Sequence, residues 1–93
     1  MHDKRTSRTP VSAEHLVLGR AVRQLRARRD LSQEQLGFHS GLHRNYVGAI
    51  ERGEINPTFK TLLSLVRGLD LPLSELVLLY EHCHAERQGR RHG

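Results

Sequence analysis

Arg44, Asn45, Gly48 and Arg52 carry the sharpest chemical signal in the chain. At helical spacing of about 100° per residue they fall in one sector of about 100°, while Val47 and Ile50 share the opposite sector with His43 and Tyr46 beside them. That pattern is one helix with a buried and a presented face. The presented side chains suit a nucleic-acid duplex. Arg44 has the fork to be bidentate to guanine and Asn45 the amide to be bidentate to adenine, while Arg52 suits a phosphate. Gly48 either lets the helix backbone approach the groove floor or a thymine methyl, or is a neutral surface residue that weakens the helix by up to about 1 kcal/mol.

Other chemistries fail on spacing. Seven histidines invite a metal reading, His82-Cys83-His84 above all. Adjacent helical residues point about 100° apart and cannot converge on one ion, and no zinc-type pattern is present. Ser32 and Ser40 have no orienting group or oxyanion donor to go with a histidine, so no catalytic site and no enzyme is expected. With 4% aromatic residues there is little to build a cofactor pocket, and no cofactor is expected. The single cysteine, Cys83, excludes an internal disulfide and fits a reducing, cytoplasmic setting. No apolar run approaches the roughly 20 residues of a membrane span, and the first residues lack the apolar core of an export signal.

Elements that position the presented face follow from periodicity and capping residues. The 93 residues fit one small domain. Residues 1–12 read as a disordered basic arm, residues 13–84 as the folded domain, and residues 85–93 as a disordered arginine-rich tail. The arm's Lys4, Arg5 and Arg8 make it an electrostatic contact for a polyanion. Helix one runs from Ala13 to Arg29 with Leu18, Val22 and Leu25 on its apolar stripe and five arginines from Arg20 to Arg29. Ser32 and Gln35 form a capping box that opens helix two, and Gly41 stops it. Helix three spans about His43 to Arg52 and ends at Gly53. Residues 54–57 form a loop, Thr58 caps helix four with Leu62, Leu65, Val66 and Leu69, and Asp70 to Pro72 break it. Helix five runs from about Leu73 to His84. The fold class is all-α.

In helix five, Leu73, Leu76, Val77 and Tyr80 form the expected core stripe. Leu78 and Leu79 lie off it, which marks them as a partner surface, with a homodimer as the expected occupant.

Taken together, Ser32-Gln33-Glu34-Gln35-Leu36, Gly41-Leu42, Tyr46-Val47, Ile50-Glu51-Arg52-Gly53, Asn56-Pro57-Thr58 and Thr61-Leu62 resemble the Xre/Cro (lambda-repressor-like) helix-turn-helix family. The resemblance covers residues 16–79 and implies a five-helix repressor-type domain with helix three in the major groove of an operator. By that similarity Gln33 touches phosphate and braces Arg44, while His43, Arg44, Asn45 and Gly48 read bases. Thr58 and Lys60, at the start of helix four, join the DNA-contacting set. Arg26 and Glu51 are implied as a structural ion pair. The sequence departs from the family's habit at His43, usually serine or threonine, and at Gly37, often alanine. The implied function is a transcriptional regulator, dimeric on an inverted repeat. Phage-type repressor, restriction-modification controller and antitoxin all remain open at this point, as does a protein partner such as a toxin or a polymerase subunit. The alternative is a protein-interaction module that keeps the fold with little or no DNA readout.

Overall fold

Four of the five helices begin at a side chain, Ser12, Ser32, His43 or Thr58, that satisfies an otherwise unpaired first-turn amide. A computed structural model describes residues 9–92 as five helices: α1 (Ala13–Arg28), α2 (Gln33–Ser40), α3 (Arg44–Glu51), α4 (Phe59–Gly68) and α5 (Leu73–His92). Ser12 Oγ accepts from the His15 amide at 3.1 Å, and Thr58 Oγ1 from the Thr61 amide at 3.1 Å. Ser32 and Gln35 close the reciprocal capping box at 3.0 and 2.8 Å. Gly41 and Gly53 follow α2 and α3 with φ of 72° and 75°, the left-handed region in which glycine carries no Cβ penalty. No strand occurs among the described residues, and none of their helices is long and apolar enough to cross a membrane.

α1 is the central element, packed on α3 along one side and on α5 along another, while α2 bridges α3 and α4. Val17, Ala21, Val22 and Leu25 of α1 meet Leu36, Val47, Ile50, Leu65, Val66, Leu69, Leu76, Leu79 and Cys83 in one core. Close approach of α1 to the end of α3 depends on Gly19, where an added Cβ would collide with the carbonyl oxygens of Ile50 and Glu51. Backbone cannot yield as a side-chain tip can. Gly19→Ala is therefore expected to destabilise the domain by about 3 kcal/mol, the upper end for overpacking. Denaturant melts check this, and a loss under about 0.5 kcal/mol would show that the two helices can separate freely.

The two ends of the domain differ from the expected bounds. Ordered structure starts before Ala13, because Ser12 caps α1 and the Val11 amide donates to the Gly53 carbonyl at 2.7 Å. The part of the arm reading that concerns residues 1–8 lies outside the described residues. α5 does not stop at His84 but continues to His92. Ala85, Glu86, Arg87 and Gln88 are good helix formers, and Glu86 reaches back to Arg20 of α1 at 3.8 Å.

The partner surface expected at Leu78 and Leu79 is only half exposed. Leu79 is only 8% exposed and belongs to the core, whereas Val77, assigned to the core stripe, is 45% exposed. The buried line of α5 runs through Leu76, Leu79 and Cys83. Cys83 behaves as a small apolar residue there, and counting it as core turns the stripe toward Leu79 and away from Val77. Leu78 is exposed, as expected.

Candidate nucleic-acid interface

The turn between α2 and α3 is short and closely packed. The Leu42 amide donates to the Gly37 carbonyl at 2.8 Å, and a Cβ on Gly37 would run into the Leu42 carbonyl and crowd the Arg44 amide. Glycine at this position lets the chain fold back directly onto α2. His43 then caps α3 instead of belonging to it, its Nδ1 accepting from the Asn45 amide at 3.0 Å. An imidazole nitrogen here does what a serine or threonine hydroxyl does at other N-caps.

The rear of α3 is fixed by a charge network. Glu51 is buried, its side chain 3% exposed. Arg26 Nε donates to Oε2 at 2.6 Å and Nη2 to Oε1 at 3.1 Å, and Gln33 Nε2 donates to Oε1 at 3.0 Å. Arg26 also holds the Leu31 carbonyl through Nη1 at 2.8 Å. Its pKa is raised above the ordinary arginine value, first by hydrogen bonding to Glu51 and then by that charge, against the opposing effect of burial. One carboxylate thus ties α1, α2 and α3 together, in the fully hydrogen-bonded geometry that a buried ion pair requires.

Gln33 accordingly braces Glu51 rather than Arg44, which corrects the expected contact. Gln33 Nε2 donates to an ionised, buried acceptor, a charge-assisted bond that turns the side chain across α3 toward Gly48. Arg44 instead lies 3.7 Å from Glu34, both side chains largely exposed. Asn45 is exposed beside it.

Gly48 also departs from expectation. It is buried, with the Arg52 side chain and the Gln33 amide lying across it. Arg52 is held in turn by Glu54, Nε to Oε2 at 2.9 Å and Nη2 to Oε1 at 3.2 Å. Its pKa is raised, chiefly by hydrogen bonding to Glu54. Sequence reasoning missed Glu54, whose approach depends on the reversal at Gly53; the only signal was an acid two residues after Arg52. Thr58 and Lys60 sit exposed at the start of α4, the Thr58 hydroxyl engaged with Thr61. Among the described residues no group of three or more His, Cys, Asp or Glu is placed to hold a metal ion.

Two short helices joined by a tight turn, with the second fixed from behind and its Arg44 and Asn45 exposed, make a helix-turn-helix of the kind found in DNA-binding regulators. The family model described as Helix-turn-helix matches residues 22–76, and the chain belongs to this Xre/Cro-like family of DNA-binding transcriptional regulators. It is 44% identical over 61 residues to control protein C.SmaI of Serratia marcescens, covering 66% of this chain and 73% of that protein. It is 35% identical over 63 residues to control protein C.BamHI of Bacillus amyloliquefaciens, covering 67% and 78%. The crystal structure of the restriction-modification controller protein C.AhdI from Aeromonas hydrophila matches with a TM-score of 0.69 and 43% identity, over 70% of this chain and 98% of that one.

Proposed function

We propose that this protein is a cytoplasmic controller of a restriction-modification system, binding double-stranded DNA in sequence-specific fashion as a homodimer and having no catalytic step of its own. The observation that carries the reading is the exposed Arg44 and Asn45 pair on a helix whose orientation is fixed by the buried Glu51 network. In this reading α3 enters the major groove, where Arg44 takes the O6 and N7 of guanine and Asn45 the N6 and N7 of adenine. His43 stands at the same helix end as a further base contact. Gln33, Arg52, Thr58 and Lys60 lie around it as backbone contacts, and the N-terminus of α2 adds a favourable field for a phosphate. Likeness to two control proteins and to a controller structure favours this role over a phage repressor or an antitoxin.

Selection of bound duplexes from a random library tests the reading. An inverted repeat with half-sites about 34 Å apart, one helical turn, is the expected product. Recovery of no preferred sequence would leave the fold without the readout proposed for it.

The dimer surface in this reading is the exposed side of α5, with Leu78 at 63% and Val77 at 45% exposure. Val77 adjoins an apolar groove of about 250 Å³ lined by Leu18, Leu62, Leu73, Leu76 and Tyr80, so the patch extends past one helix. Replacing Val77 and Leu78 with glutamate is expected to give a folded monomer by sedimentation with much weaker operator binding. Leu79→Glu, by contrast, should unfold the domain, because it places a charge in the core. A Val77/Leu78 double variant that stays dimeric would exclude this surface.

A further inference from the structure

Resting on the DNA-binding reading above, we propose that Glu54 is a positioning residue for that binding, holding Arg52 across Gly48 so that one guanidinium nitrogen is set for a phosphate. Three features make the pair more than a chance surface contact. First, its two bonds, at 2.9 and 3.2 Å, use Nε and Nη2 and leave Nη1 as the nitrogen outside the pair. Second, the acid is the fixed partner: its side chain is 11% exposed against 57% for Arg52. Its own amide donates to the Ala49 carbonyl at 2.9 Å, after the reversal at Gly53 with φ of 75°. Third, the guanidinium has a seat. A Cβ on Gly48 would stand 3.0 Å from Arg52 Nη1 and 3.3 Å from Gln33 Oε1, so both side chains cross closely over the glycine and an added methyl would push their tips back.

Glu54, Arg52, Gly48, Gln33, Glu51 and Arg26 then form one continuous layer across α3. Glu51 fixes the helix, and Glu54 extends that order to a side chain on its surface. The pair removes the rotamer freedom that an exposed arginine would otherwise lose on binding, and an arginine already ordered binds more tightly than a free one. A carboxylate near a DNA backbone has a second effect of opposite sign, because a negative charge repels phosphates. The two effects predict opposite results for removing the charge, which makes the proposal decidable.

The experiment is a binding titration on the selected operator duplex with wild type, Glu54→Gln, Arg52→Ala, the double variant and Gly48→Ala, each first shown to melt as a folded protein. Glu54→Gln is expected to weaken operator binding about three- to tenfold, the range for freeing one long side chain. In the Arg52→Ala background the same change should cost nothing, because Glu54 then has no side chain to position. Gly48→Ala changes no charge, but its methyl would push back the tips of both Arg52 and Gln33, so it should weaken binding in the same range, with its melt measured alongside. Operator binding by Glu54→Gln as tight as wild type or tighter would overturn the proposal, as would an equal loss with Arg52 absent. Undiminished binding by Gly48→Ala would overturn the seat. Failure of the DNA-binding reading itself would appear in the wild type, which would then bind no duplex, and would remove this proposal with it.

Discussion

Arg26→Ala is expected to lower the unfolding free energy by about 3 to 5 kcal/mol, the cost of leaving one member of a buried pair behind. The stranded group would be the Glu51 carboxylate, whose side chain is 3% exposed and would keep only the Gln33 amide. Domains of this size have only about 5 to 15 kcal/mol of stability, so most of the fold's margin would be lost. Glu51→Ala should cost less, about 3 kcal/mol, because the Arg26 it leaves behind is partly exposed, at 16%, and retains the Leu31 carbonyl. Removing both should be less harmful than the sum, since the second change takes away the charge the first one stranded. Denaturant melts of the three variants measure all of this. A loss under about 0.5 kcal/mol for Arg26→Ala would mean that the pair does not hold the helices together.

Arg44→Ala and Asn45→Ala are each expected to reduce specific binding by about 1 to 3 kcal/mol while leaving the melt unchanged, since each removes a bidentate base contact. The structure allows that separation. Arg44 is 60% exposed and has only an exposed Glu34 at 3.7 Å, so nothing in the fold depends on it. Titrations on operator and on scrambled duplex distinguish the roles. A loss confined to the operator identifies base readout, whereas equal losses on both would make these residues backbone contacts.

Features set by a single residue and its nearest amides were legible in the sequence. Ser32 with Gln35, Thr58, Gly41 and Gly53 each act over a few residues, and each marks a helix boundary where the structure has one. The exposure of Arg44 and Asn45 opposite Val47 and Ile50 was legible for the same reason, because helical periodicity decides it locally. The pairing of Arg26 with Glu51 was not: it crosses from α1 to α3, and only the family resemblance pointed to it.

The misread features of the site and of the α5 stripe depended on a neighbour in space. The stripe of α5 follows from where α1 lies, and that contact runs through Cys83, which the sequence presents between two histidines. Gly48 reads as open on a helical wheel, yet Arg52 and Gln33 lie over it, and both are held there by acids, Glu54 and Glu51, outside their own helical turn. Gln33 turns to Glu51 because its Nε2 donates to a buried carboxylate, and burial is not visible in a one-dimensional pattern.

Sequence-specific readout by α3 is the central claim, and the ratio of wild-type affinities for the selected inverted repeat and a scrambled duplex, measured at one salt concentration, tests it most directly. The account predicts a preference of about a thousandfold or more, the lower bound of specific over non-specific binding. A ratio near one would contradict it, because attraction of a basic chain to phosphate alone gives affinity without preference.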